Sequence, residues 1–157
     1  MKVAHASSLT VSELKKHAGF WLRFVSSHVS HAFARKLLAE GVTVAEWVVM
    51  REMFDDQETS PGVVAERIGM TRGGVSKLVD RLVRKRLILR SGRTDDRRFQ
   101  SIALSAAGRR LIPRLAALAD QNDDEFFAPL SARERAALVS LMRKLVQAHG
   151  LQTLPTE

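Results

Sequence analysis

The stretch Thr71-Arg72-Gly73-Gly74-Val75-Ser76-Lys77 gathers two cations, two hydroxyls and two adjacent glycines within seven residues. This combination suits the recognition of a polyanion better than bond-breaking chemistry. Arg72 and Lys77 can donate to guanine edges or to phosphate oxygens, and Thr71 and Ser76 can add short hydroxyl contacts. Gly73 and Gly74 cost up to about 1 kcal/mol each relative to alanine in a helix interior. A close backbone approach to a ligand would explain that cost. Arg81, Arg84, Lys85 and Arg86 follow at positions expected near phosphates. A second concentration, Gly92-Arg93-Thr94-Asp95-Asp96-Arg97-Arg98, forms a short polar loop. Arginines such as Arg93, Arg97 and Arg98 on a narrow loop suit a minor groove, whose negative potential deepens as it narrows. Asp96 can fix the direction of Arg98 by a charge-assisted bond.

Other chemistries lack their residues. His28 and His31 have a spacing that can place two imidazoles on one metal, with His17 three turns earlier, but no carboxylate cluster completes a set. Neither a metal site nor a cofactor is expected. Asp55-Asp56 and Asp123-Asp124 lie in polar stretches that read as solvated helix ends. There is no phosphate-cradling glycine loop and no metalloprotease helix motif, and the chain contains neither tyrosine nor cysteine. Disulfides, thiolate zinc sites and cysteine redox switches are thereby excluded, and an enzyme is not expected.

The 157 residues include 25 Lys+Arg against 17 Asp+Glu, a formal net charge of +8. Between Pro61 and Arg110 there are 13 basic and 4 acidic residues, so one third of the chain carries the whole positive excess. Such a block favours a polyanionic partner, and nucleic acid over membrane lipid because no strongly apolar face adjoins the charges. The longest apolar run, Leu115 to Ala119, is far short of the ~20 residues needed to cross a bilayer. The first residues lack an apolar signal core, so a cytoplasmic location is expected.

Hydrophobic periodicity supplies the elements that must hold these residues. Thr10-Val11-Ser12-Glu13 reads as a capping box opening a first helix, whose Leu14, Ala18, Trp21, Val25, Val29 and Ala32 form one ridge and Phe20, Phe24 and His31 another. Two apolar ridges suggest burial against more than its own domain. Gly41 ends this helix and Thr43 caps a second, running to Phe54. Ser60-Pro61 opens a short third helix, and Thr71 caps a fourth immediately after Gly69. Helix, three-residue turn with glycine, then helix is the helix-turn-helix pattern. Leu87–Arg90 and Phe99–Leu104 read as strands of a hairpin around the charged loop. Ser105 caps a fifth helix, with a kink expected near Arg109 from Pro113, and Ser131-Ala132-Arg133-Glu134 opens a sixth. The fold class is therefore mainly α with a small β-hairpin wing, in the order α-α-α-α-β-β-α-α.

The order of elements, the stretch from Val63 to Leu82, and the wing Asp96-Arg97-Arg98 with Leu104-Ser105 beyond it resemble the MarR family of winged helix-turn-helix transcriptional regulators. The likeness extends from about Ser12 to His149, and the Asp-x-Arg wing pattern is its most specific part. It implies that Thr71 to Arg86 is a recognition helix and that Asp96 and Arg98 are the wing pair, with Arg98 in the minor groove. It also implies a homodimer built from the first, fifth and sixth helices. The organisation follows: a dimerisation helix in 1–42, a winged helix-turn-helix lobe in 43–105, and dimerisation helices in 106–157. Arg86 departs from the family, which commonly has glycine there, and Leu104-Ser105 replaces Leu-Thr. The family further implies a small aromatic or phenolic effector, for which Trp21, Phe24, His28, Trp47, Met50 and Arg51 offer an apolar slot with one cation. The same residues at helical spacing also suit ordinary core. The expectation is a homodimeric regulator, most often a repressor, on a pseudo-palindromic site in double-stranded DNA. The competing reading is a winged-helix adaptor that binds protein or RNA.

Overall fold

The computed structural model describes residues 11–92 and 100–152. Six helices and one hairpin follow in order: α1 (Ala18–Leu38), α2 (Val44–Glu52), α3 (Pro61–Ile68), α4 (Arg72–Arg84), β1 (Ile88–Ser91), β2 (Ser101–Leu104), α5 (Ala106–Phe126) and α6 (Ala132–Ala148). A single 3₁₀ turn, Leu14–Lys16, precedes α1.

Side-chain caps set most of the boundaries. The Thr43 hydroxyl accepts from Glu46 N while the Glu46 carboxylate accepts from Thr43 N, a reciprocal box that starts α2. Ser60, Thr71 and Ser105 accept from Val63, Gly74 and Gly108 N to start α3, α4 and α5. Ser131 and Glu134 repeat the box at α6. The first helix differs from its sequence reading. Thr10 lies outside the described residues, and His17, with extended backbone, is the residue before a helix that begins at Ala18. The second helix stops at Glu52, two residues short of Phe54, and α5 runs unbroken through Pro113.

Two linked clusters form the core. The larger joins Val49, Met50, Val64, Val75, Leu78, Val79, Leu82, Ile88, Ile102 and Ile112, so α2, α3, α4 and the hairpin pack as one lobe against the start of α5. The smaller holds Leu37, Val42 and Leu115, where the end of α1 meets α5, and Trp47 borders both. α1 and α5 pack along each other. α6 buries none of its residues.

The hairpin is antiparallel, pairing Ile88 with Leu104 and Ser91 with Ser101. Thr59, ahead of α3, adds a two-bond bridge to Ile102 (2.9 and 2.8 Å). The base of the wing is thus tied to the entrance of the helix-turn-helix.

Candidate nucleic-acid interface

α4 is divided cleanly by its sequence. Val75, Leu78, Val79 and Leu82 are buried against α3 and α2, while Thr71, Arg72, Gly73, Ser76, Lys77, Arg81 and Arg84 are exposed on the other side. The turn that presents α4 uses Gly69, in the left-handed region at φ +68°, with Met70 N donating to Ala65 O at 3.0 Å. Among the described residues, Arg72, Lys77 and Arg81 make no ion pair. Their charges are therefore not neutralised by the surrounding described chain.

The two glycines have different surroundings. A side chain at Gly73 would meet nothing within 4 Å, so this position offers open backbone on the exposed face. A Cβ at Gly74 would lie 3.0 Å from Thr71 Oγ1, the atom that caps α4. Gly74 thus has a local structural reason, and the acceptor capacity of Thr71 is partly used by the cap.

Arg72 lies alongside Gly62, at the start of α3, and lines a cleft of about 520 Å³ with Ser60, Ser76, Asp80 and Arg90. Arg90 pairs with Asp80, joining β1 to α4. Glu58 accepts from Ser91 Oγ at 2.9 Å, and bonds from Ser101 and Ser91 hold its carboxyl below the usual range. The strands that lead to the wing loop are held on two sides. Arg93, Asp96, Arg97 and Arg98 lie outside the described residues.

The residues expected to line an effector slot fall into three places. Trp21, Phe24 and His28 share the exposed face of α1, where Phe24 stacks on Phe20 and its ring lies 4.7 Å from His28. Trp47 packs edge-on against Phe33, and Met50 is fully buried in the lobe core. Arg51 pairs with Asp55 at 3.1 Å and lies over the Phe54 ring. Among the described residues, no three His, Asp or Glu side chains converge in a metal-binding group.

Lys85 differs from the expectation that it faces phosphate: its Nζ bonds inward to Glu46 and to the Gly41 carbonyl. Further ties that the sequence reading missed around this face include Asp80–Arg90, Glu58–Ser91, and Arg109, which donates to Phe54 O (3.1 Å) and Asp56 O (2.7 Å). Arg109 so anchors the segment between α2 and α3. All of these join residues distant in sequence, where spacing carries no signal. Of the groups in these ties, Glu46 had a local signature, three residues after Thr43.

A sequence profile described as the MarR family matches residues 40–98, which contain α2 through β1 and the wing loop. Residues 40–98 are thus a MarR-family segment. A protein named for regulation of the hcr operon in Thauera aromatica is 28% identical over 128 residues, covering 81% of this chain and 77% of its own. BpsR of Bordetella bronchiseptica, whose solved structure concerns regulation of DNA binding by 6-hydroxynicotinic acid, is 25% identical. That match covers 87% of this chain and 97% of BpsR, with a TM-score of 0.76. A MarR mutant from E. coli complexed with operator DNA has the same fold, at a TM-score of 0.76 and 21% identity over 86% of this chain and 99% of its own. A protein with this segment and these relatives is a DNA-binding transcriptional regulator and not an enzyme. Among its described residues no helix is long and apolar enough to cross a membrane.

Proposed function

We propose that the protein is a homodimeric, sequence-specific repressor that places two α4 helices in successive major grooves of a pseudo-palindromic operator. The observation that carries this reading is the exposed face of α4: Arg72, Gly73, Ser76, Lys77 and Arg81 lie together on a helix whose other side is locked into the core. Arg72 and Lys77 read bases or anchor phosphates, Arg81 lies nearer the backbone, and Gly73 lets the helix approach closely. From the sequence alone, Arg98 is the residue proposed for the minor groove and Asp96 its partner, with Arg93 and Arg97 as further DNA contacts.

Dimerisation is supported by apolar surface that the described residues leave uncovered. α6 presents Leu141, Met142, Leu145 and Val146, and α1 presents Trp21, Leu22, Phe24 and Val25, all exposed. Surface of this kind along two helices fits burial against a second copy. A small aromatic acid is the proposed effector class, on the model of the 6-hydroxynicotinic acid named for BpsR. It acts by preferring one of two separations of the reading helices, and shifts DNA affinity only as far as that preference extends.

The test is selection of bound duplexes from a random pool, followed by the stoichiometry of the winners. Two chains on inverted half-sites about 10–10.5 base pairs apart is the expected result. Winners without dyad symmetry, or bound by one chain, would overturn the dimeric reading. On the selected duplex, Arg98→Ala is expected to weaken binding by about 1–3 kcal/mol, and an unchanged affinity at fixed salt would remove the wing from the mechanism.

A further inference from the structure

The ends of three helices meet at one ion pair. Lys85, the residue that closes α4, donates from Nζ to Glu46 Oε2 at 2.7 Å and to the Gly41 carbonyl at 2.8 Å. Gly41 lies in the turn after α1, at φ +69°, and Glu46 lies in the first turn of α2, where Oε2 also accepts from Thr43 N at 2.9 Å. Glu46 has no exposed surface, and its Oε1 has no partner among the described residues. The ammonium is therefore the counter-charge that makes this burial tolerable. Burial alone pushes the Glu46 carboxyl up, but the bonds from Lys85 and Thr43 outweigh it and leave it below the usual range.

Only the Glu46 side of the pair is buried, the Lys85 side chain being 37% exposed, and apolar neighbours could fill the space around the carboxylate with little change in stability. What packing would not reproduce is direction. Nζ must stay within bonding distance of two acceptors on two different elements, and both acceptors are fixed, one by a turn and one by a helix cap. The end of α4 is thereby held to the end of α1, at the opposite end of α4 from Arg72.

We propose that Lys85 is a positioning residue for DNA reading: through Gly41 and Glu46 it sets the angle between α4 and α1, and it does not contact phosphate. This rests on α4 as the reading helix. With α1 at the dimer contact, the same tie would fix how far apart the two reading helices stand.

Two substitutions and their combination test it. Lys85→Met keeps an aliphatic stem without the ammonium, and Glu46→Gln keeps the shape without the carboxylate charge. Affinity is measured across salt for the selected operator and for a scrambled duplex. Lys85→Met is expected to weaken operator binding about tenfold, a coupling within the range for residues of one network. It leaves scrambled-duplex binding and the slope of log K against log salt unchanged. Glu46→Gln weakens operator binding too, although loss of a negative charge would by charge alone tighten binding to DNA. The double variant carries no unpaired buried charge, so it tests the proposal even if Lys85→Met alone fails to fold. It is expected to bind the operator about as weakly as the weaker-binding single variant, and no weaker.

A salt slope reduced by about one in Lys85→Met, with equal loss on both duplexes, would mark a direct phosphate contact and overturn the proposal. Wild-type operator affinity in the double variant would overturn it as well. A wild-type chain that cannot tell operator from scrambled duplex would instead overturn the assignment of α4 on which the proposal stands.

Discussion

Arg86 holds a backbone φ of +60° at the exit of α4, where Leu87 N reaches back to Leu82 O at 3.0 Å. A left-handed conformation costs an L-residue with a side chain roughly 1–2 kcal/mol. Arg86→Gly is therefore expected to raise stability by about 1 kcal/mol, less glycine's own loss of chain entropy, as read from denaturant midpoints. A drop in midpoint would show that the arginine side chain makes up for its strained backbone. Ser105 supports the same turn, donating to Arg86 O at 2.8 Å while capping α5. Gly108 poses the opposite constraint. A Cβ there would lie 2.2 Å from the Leu87 carbonyl oxygen, so Gly108→Ala must push α5 away from the start of β1. A loss of about 1–3 kcal/mol is expected, and a neutral result in thermal unfolding would contradict the close approach. Neither constraint follows from residue type alone. Arg86 shows up only by comparison with a family glycine, and Gly108 reads in sequence as an ordinary residue early in a helix.

At the scale of elements, the caps and the apolar periods were legible. Thr43, Ser60, Thr71, Ser105 and Ser131 each sit where a hydroxyl must take an unpaired amide, and the structure uses each one. The start of α1 was not legible, because apolar residues continue at helical spacing from Leu14 while the backbone breaks at His17. The contacts that join elements were hidden for a different reason: Glu46 and Lys85 stand 39 residues apart, and a charged residue in a basic run reads as solvent-facing until the fold turns it inward. Their pairing has a pH signature. The Glu46 carboxyl is held below its ordinary value of 4.5, so the ionised form favours the folded state. That contribution is complete above the ordinary value and is lost as pH falls through the lowered folded value. Unfolding midpoints measured from pH 6 down to pH 3 should fall more steeply for the wild type than for Glu46→Gln. Parallel curves would mean that the ion pair carries no linkage.

Over the whole molecule, charge and apolar surface are segregated. The positive excess lies between Pro61 and Arg110, in the segment that includes α4 and the charged stretch Gly92–Arg98, while most of the exposed large apolar side chains of the described residues lie on α1 and α6. On the proposed reading this division separates DNA contact from self-association, and the two are separately testable. Because Leu141 and Leu145 are exposed among the described residues and α6 has no fully buried residue, Leu141→Glu with Leu145→Glu should leave the lobe folded. The pair is expected to shift the protein toward monomer in sedimentation and to cost operator affinity by removing the second half-site. An unchanged sedimentation profile would place the dimer contact elsewhere. Of the proposed interface, the α4 residues are those whose exposure the structure describes, whereas Arg93, Asp96, Arg97 and Arg98 rest on the sequence.

The most direct measurement is the affinity of the wild-type protein for its selected operator and for a scrambled duplex of equal length, each followed from 50 to 200 mM salt. With roughly 6–10 phosphates neutralised per dimer, operator affinity should fall about 10³–10⁵-fold over that range. The operator should stay at least about 10³-fold tighter than the scrambled duplex at every salt concentration. A flat salt response, or equal affinity for the two duplexes, would contradict a sequence-reading role for α4.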